Sequence, residues 1–230
     1  MAFNLNSLRQ PVYGIIEPVS AWLVRKRVHP NVITTMGFVA AASSGYFYHQ
    51  DHVSWAGFLV LLGGLFDIFD GRVARMSGLA SKFGAFYDSV LDRMSEIAMY
   101  VGLLSLYVKY QSGPMDVFMI YVIMVAAGGS LMVSYTRAKA EALGLDCSVG
   151  LMQRAERLVF IGAASMFFGL RWDGIVLTVV IVIVAILTNF TVIQRMVWVY
   201  KRATGVPLDD MVQAPSQQDG QVAATEERKL

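Results

Sequence analysis

Long apolar segments separated by short polar ones make up most of the chain. Before the first of them, residues 3–28 mix apolar with basic side chains, as amphipathic helices at a membrane interface do. Each long segment approaches the ~20 residues that a helix needs to cross a bilayer. The pattern predicts an all-α integral membrane protein with six transmembrane helices and an N-terminal interfacial amphipathic helix. The six segments lie at roughly residues 31–49, 53–74, 84–109, 115–138, 151–170 and 174–199.

Three parts follow from this pattern. Residues 1–29 are the interfacial helix, residues 30–202 form one six-helix domain, and residues 203–230 are a polar tail that we expect to be disordered. Composition agrees with a membrane protein, because 56% of the residues are hydrophobic and only 16% are charged. The single cysteine, Cys147, excludes an intrachain disulfide and disfavours a thiolate metal site.

The basic residues predict how the chain is oriented, because Lys and Arg accumulate on the cytoplasmic side of membrane proteins. With six spans and a cytoplasmic N-terminus, all but two of the 19 basic residues fall on the inner side. The two exceptions are Lys109 and Arg171. A five-span arrangement spoils this separation. We therefore expect a multi-pass protein of the plasma membrane with both termini in the cytoplasm.

Four aspartates lie where two of these spans meet the cytoplasm. Asp67 and Asp70, three residues apart, come near the end of the second span, and Asp88 and Asp92, four apart, near the start of the third. Such spacings place side chains on one face of a helix. Because four carboxylates repel one another, the simplest account is a divalent-metal site, and hard oxygen ligands favour Mg²⁺ or a similar ion.

Two other interpretations compete with a catalytic metal site. A structural ion-pair cluster needs nearly equal opposite charge, whereas here the acids outnumber the nearby bases. A metal-ion transporter, the alternative from a different functional class, usually spreads its acidic groups at mid-depth over several helices. The aspartates instead cluster at one end of two neighbouring helices, which favours chemistry on a ligand that arrives from one side.

The spacing of the fixed residues between Asp67 and Asp92 resembles the signature of the CDP-alcohol phosphatidyltransferase family. That signature is D-x2-D-G-x2-A-R-x8-G-x3-D-x3-D, and this sequence matches every fixed position. The resemblance extends over about residues 28–200. It implies an enzyme of phospholipid biosynthesis, in which an alcohol hydroxyl attacks the β-phosphate of a CDP-linked donor and CMP leaves.

The resemblance also implies roles for individual residues. Asp67, Asp70, Asp88 and Asp92 would bind two divalent ions, Mg²⁺ or alternatively Mn²⁺, and Asp92 would also act as the catalytic general base. The residues that it implies for binding of the CDP donor are Asn31, Thr34, Asp67, Gly71, Arg75, Ser81 and Gly84.

Three arginines near the predicted cytoplasmic ends of spans four and five are candidates for binding the acceptor. Arg137, Arg154 and Arg157 could form a basic pocket for an acceptor that itself carries a phosphate. The competing interpretation is cytoplasmic flanking charge, which every multi-pass protein has. Residues 134–141 and 154–157 resemble the branch of the family that uses inositol phosphate. Within the family, glycerol 3-phosphate as acceptor and a soluble CDP-inositol donor stay open as alternatives.

The expected partners follow from the same resemblance. They are CDP-diacylglycerol or a related CDP-lipid, a phosphorylated polyol, membrane lipids and a second copy of the chain in a homodimer. A nucleic-acid partner is not expected. The active site is expected on the cytoplasmic side, with the donor's acyl chains in the membrane and its nucleotide in water.

Overall fold

The computed structural model describes residues 6–109 and 114–205, and every regular element within these ranges is a helix. The all-α prediction is therefore confirmed. A π-helical turn, Ala164–Phe168, continues the sixth helix, and a 3₁₀ turn, Arg171–Gly174, precedes the seventh. The helices are α1 (Asn6–Arg25), α2 (Pro30–His49), α3 (Val53–Ser77), α4 (Lys82–Lys109), α5 (Pro114–Ala142), α6 (Arg154–Ala163) and α7 (Ile175–Thr204).

Local signals set the short turn between α3 and α4. Gly78, at φ +68°, ends α3 in the left-handed conformation that glycine adopts without strain. Ser81 then caps α4, because its hydroxyl accepts a hydrogen bond of 3.0 Å from the backbone N–H of Gly84. The turn is only four residues long, so the end of α3 and the start of α4 lie side by side.

The helices pack against partners that are often not their neighbours in sequence. Helix α2 packs most extensively against α3 and α4, α5 packs against α7, and α6 lies against α3. The largest core cluster includes Val60, Leu103, Ile161 and Ile181, which come from four of these helices. A smaller cluster, in which Ile16 meets residues of α2 and α3, attaches α1 to the bundle.

Successive helices run in alternating directions, so that one end of the bundle collects the acidic residues. Thr34 at the start of α2, Asp70 near the end of α3, Asp88 near the start of α4 and Arg154 at the start of α6 line one small cavity. At the opposite end, Lys109 at the end of α4 forms an ion pair of 2.8 Å with Asp51. This alternation is the order that a multi-pass bundle needs.

Within residues 6–109 and 114–205, three segments are long and apolar enough to cross a membrane, namely Val53–Ser77, Val117–Ala142 and Arg171–Thr204. The chain is an integral membrane protein. Helix α4 includes several charged residues in its first half, and α6 changes into a π-helical turn after 10 residues, so these two helices lack the apolar length of the three segments. Six spans and an interfacial position of α1 stay predictions. The predicted tail lies outside the described residues from 206 onward.

Candidate active site

Three aspartates converge where α3 and α4 meet. One carboxylate oxygen each of Asp67, Asp70 and Asp88 lies within 4.8 Å of the others. Asp70 Oδ2 and Asp88 Oδ1 are buried without a hydrogen-bond partner among the described residues. Burying a carboxylate oxygen without a partner costs folding free energy, and carboxylate oxygens are preferred ligands of hard divalent cations. The donor set therefore fits a divalent metal ion.

Asp92, the fourth predicted metal ligand, lies next to this cluster but forms an ion pair with an arginine. Its Oδ1 accepts a bond of 2.6 Å from Arg154 Nη2, while Arg154 Nη1 lies 3.1 Å from Asp67 Oδ2. One guanidinium thus bridges a carboxylate of α3 and a carboxylate of α4 from the start of α6. The Arg154 side chain reduces the repulsion within the cluster and fixes the direction of Asp92.

A cleft on one side of the cluster contains the residues predicted for the donor. Its volume is about 210 Å³, and Asp70 and Asp88 form its inner wall. Gly84 has a steric role here, because a Cβ at this position would lie 3.1 Å from Ser81 Oγ and 3.4 Å from Asn31 Oδ1. Six of the seven predicted donor residues line this cleft, all but Asp67: Asn31, Thr34, Gly71, Arg75, Ser81 and Gly84.

A second cavity, of about 460 Å³, opens on the other side of the cluster between α4, α5, α6 and α7. Asp67 and Asp92 line it together with two of the three arginines predicted for the acceptor, Arg137 and Arg154, and we therefore call it the acceptor-side cavity. Arg137 Nε lies 2.8 Å from Glu141 Oε1, which orients the guanidinium at the end of α5. The cavity therefore combines two carboxylates of the cluster with the positive charge of two arginines, which can bind a phosphorylated molecule.

The structure does not bring the third predicted arginine, Arg157, to this cavity. Its side chain is fully buried, with Nε 2.8 Å and Nη2 3.1 Å from the two carboxylate oxygens of Glu96. The expectation that Arg157 contacts the acceptor phosphate is corrected accordingly, because its side chain is 0% exposed and lies inside the bundle, where it pairs with Glu96 and no ligand reaches it. Spacing gave a signal for this: Glu96 follows Asp92 by four residues, and Arg157 follows Arg154 by three.

Sequence reasoning missed Arg195, which lines the acceptor-side cavity from α7. Its Nε donates to the carbonyl of Val149 at 2.8 Å, and its Nη1 donates to the carbonyl of Val133. The distribution of charge along the sequence predicts only that it is one of the basic residues on the cytoplasmic side. The available signal was its position inside the predicted span at 174–199, where an ionisable residue has a functional interpretation by default. Arg93 and Ser89 of α4 also line this cavity and were not predicted.

Comparison with known proteins identifies relatives of this chain. The family model described as CDP-alcohol phosphatidyltransferase matches residues 27–191. The archaetidylinositol phosphate synthase of Methanothermobacter thermautotrophicus is 33% identical over 198 residues, which span 86% of this chain and 95% of that protein. The phosphatidylinositol phosphate synthase of Streptomyces avermitilis is 33% identical over 213 residues, spanning 90% of this chain and 86% of that protein.

Solved structures share the fold. A crystal structure of Mycobacterium tuberculosis phosphatidylinositol phosphate synthase with CDP-DAG bound has a TM-score of 0.72 and 27% identity, over 81% of this chain and 94% of that one. The same protein in complex with manganese and citrate has a TM-score of 0.72 and 26% identity, over 80% and 88% of the two chains. The similarity in fold thus extends over most of the residues of both proteins.

Proposed function

Since this chain belongs to the CDP-alcohol phosphatidyltransferase family, we propose that it transfers the phosphatidyl group of a CDP-lipid to an inositol phosphate and releases CMP. CDP-diacylglycerol is the proposed donor, with a related CDP-lipid as its equivalent in a membrane of different lipid chemistry. The observation that carries the proposal is one carboxylate cluster between two cavities. Asp70 and Asp88 form a wall of the donor cleft, while Asp67 and Asp92 line the acceptor-side cavity.

The donor side suits a nucleotide that is linked to a lipid. The cleft lies at the end of the bundle that was predicted to face the cytoplasm, so a diphosphate can reach the aspartates while acyl chains stay in the membrane. Arg75 and Ser81 supply a cation and a hydroxyl on its wall, and Gly71 leaves the backbone open beside Arg75. The Mycobacterium tuberculosis relative with CDP-DAG bound supports this choice of donor.

The acceptor side suits a molecule that carries both a phosphate and a free hydroxyl. Arg137 and Arg154 offer the phosphate charge-assisted hydrogen bonds, and Arg195 adds a third guanidinium to the same cavity. The names of the archaeal and bacterial relatives support inositol phosphate over the alternatives of glycerol 3-phosphate and a CDP-inositol donor. The acceptor's hydroxyl would then face Asp92 and its phosphate the arginines.

Four aspartates are assigned to catalysis. Asp67, Asp70, Asp88 and Asp92 would hold two divalent ions, Mg²⁺ or Mn²⁺, which when bound supply charge neutralisation to the attacking and leaving oxygens. Asp92 accepts the proton of the acceptor's hydroxyl, since it lies on the acceptor side and Arg154 fixes its orientation. Because the reaction needs positioning and neutralisation more than covalent help, the four aspartates require no protein nucleophile beside them, and the arginines of the two cavities position the substrates.

The proposal includes the placement of the enzyme. It gives the enzyme six spans, both termini in the cytoplasm and an active site on that face, and the alternating helices and the distribution of basic residues support this arrangement. Location in the plasma membrane and assembly as a homodimer are part of the same proposal. Labelling of single introduced cysteines from either side of sealed vesicles would test the orientation, with Cys147 replaced first.

The function is tested by CMP release from purified protein in detergent with Mg²⁺ and CDP-diacylglycerol. Four acceptors are compared: inositol 1-phosphate, free inositol, glycerol 3-phosphate and serine. The expected result is CMP with inositol 1-phosphate alone. CMP release with glycerol 3-phosphate instead would show that the proposed acceptor is wrong, while the assignment of the site residues would stand. No CMP with any acceptor, together with metal flux into liposomes, would favour the transporter.

A further inference from the structure

A second ion pair lies one helical turn deeper in the bundle than the pair at the active site. The first rung is Asp92 with Arg154, and the second rung is Glu96 with Arg157. Both rungs connect α4 to α6. They differ in exposure: the side chains of the first rung are about one-fifth exposed, whereas those of Glu96 and Arg157 are 2% and 0% exposed. The second rung is therefore closed to any ligand.

Arg157 also fixes the backbone where α6 begins. Its Nη1 donates to the carbonyl of Met152 at 3.2 Å, and the N–H of Met152 donates to Thr191 Oγ1 of α7 at 3.0 Å. Met152 directly precedes Gln153, which is the N-cap of α6 and lines the acceptor-side cavity. One guanidinium thus ties a carboxylate of α4 to the segment from which Arg154 projects.

Stability alone gives a weak reason for such a pair. Taking two charges out of water costs several kcal/mol per ion, and replacing a buried pair by uncharged groups of similar volume is often neutral or stabilising. What the bidentate fork of an arginine adds is fixed direction. Here the fixed geometry of the Glu96–Arg157 pair sets the position of α6 along the axis of α4. Arg154 lies less than one turn from Arg157 on the same helix.

We propose that Glu96 and Arg157 are positioning residues that hold the start of α6 in register with α4, so that Arg154 meets Asp67 and Asp92 correctly. We expect their effect on the acceptor rather than the donor, because no residue of α6 lines the donor cleft, which is built from α2, α3, the α3–α4 turn and the start of α4. This inference rests on the proposed two-sided function. According to this inference, Glu96 and Arg157 contact no substrate but still change the KM for the acceptor.

The kinetic test compares Michaelis constants for donor and acceptor in Arg157→Lys and in the paired variant Glu96→Gln/Arg157→Met. Lysine keeps the charge but loses the fork, so the acceptor KM should rise on the order of tenfold, with the donor KM unchanged within about twofold. The paired variant removes both charges and should keep its thermal stability. Its acceptor KM should nevertheless stay raised. A wild-type acceptor KM in this stable variant would overturn the proposal.

The matched control is Tyr100→Phe, one turn further along α4. It removes the hydroxyl that lies 3.0 Å from Ser130 Oγ, and so deletes a buried polar contact between α4 and α5 rather than α6. We expect some loss of thermal stability and an unchanged ratio of acceptor to donor KM. An equal rise of the acceptor KM in this control would show that any loosening of the core produces the effect, and would contradict the positioning role.

Hydrogen exchange tests the positioning role without an activity assay. It therefore distinguishes a wrong positioning role from a wrong proposed function. In Glu96→Gln, backbone amides of residues 152–157 should exchange faster than in the unsubstituted protein, while those of residues 32–37 in α2 should not change. Unchanged exchange at residues 152–157 would overturn the positioning role. Absence of CMP from the unsubstituted protein would instead count against the proposed reaction.

Discussion

The two sides of the carboxylate cluster are built in different ways. The donor cleft takes most of its lining from one continuous stretch, residues 70–88, and the rest from the start of α2. The acceptor-side cavity draws on α3, α4, α5, α6 and α7, with residues up to 128 positions apart in the chain, from Asp67 to Arg195. The donor side is thus a local structure, and the acceptor side is a product of how distant helices pack.

This difference has a functional consequence. A cleft that depends on one helical hairpin tolerates change in the other helices, whereas a cavity bounded by five helices responds to a shift of any of them. Substitutions around the donor cleft should therefore act on the donor alone. Substitutions that move α6 or α7 should act on the acceptor, even when they lie well away from it.

The largest effect is expected where the two sides meet. Asp92→Asn keeps the volume of the side chain and removes its ability to accept a proton, so kcat should fall on the order of a thousandfold. Binding of CDP-diacylglycerol, measured by titration calorimetry, should stay within a few-fold of the unsubstituted protein. Turnover at the normal rate in this variant would remove Asp92 from the role of general base.

A smaller effect is expected from the arginine on the acceptor side. Arg154→Ala removes charge-assisted hydrogen bonds worth about 1.5–3 kcal/mol each, which corresponds to a rise of about 10–100-fold in the acceptor KM. The donor KM should change much less. Steady-state CMP release with each substrate varied in turn provides the measurement. Equal increases in both constants would mean that Arg154 supports the whole cluster rather than the acceptor.

The smallest effect is expected from a methyl group in the donor cleft. In Gly84→Ala the new Cβ would meet Ser81 Oγ at 3.1 Å, so the capping hydroxyl must shift at a cost of about 1 kcal/mol and the donor KM should rise about fivefold. Gly64→Ala on α3 is the matched control, since no atom lies within 4 Å of its Cβ position. A raised acceptor KM in Gly84→Ala would contradict the separation of the two sides.

The same difference explains what the sequence could predict. Helical periodicity and a short loop between two predicted spans are enough to bring Asp67, Asp70 and Asp88 together, so their proximity is predictable from local geometry alone. Ser81 and Gly84 follow from the same hairpin. The sequence predicts both Arg154 and Arg157 for the acceptor pocket, because both come at the cytoplasmic end of a predicted span. The two lie on different rungs, however, and only the packing of α6 in the bundle, against α3 and α7, decides which one faces the cavity.

Arg195 illustrates the same limit from the other direction. It lies 41 residues beyond Arg154 in the chain, and nothing in the local pattern of α7 connects it to the aspartates. It enters the cavity because α7 packs against α5 and because Arg195 holds the carbonyls of Val133 and Val149. Tertiary contacts of this kind leave only a weak trace in a single sequence, here one arginine within an apolar segment.

The most direct test of the central claim is analysis of the lipid product. Purified protein is incubated with CDP-diacylglycerol, Mg²⁺ and inositol 1-phosphate that carries a radiolabelled phosphate, and the lipids are then extracted. The account predicts label in a lipid that contains both a phosphodiester and the labelled phosphomonoester, with one CMP released for each molecule formed. Release of CMP while all of the label stays in the aqueous phase would contradict it.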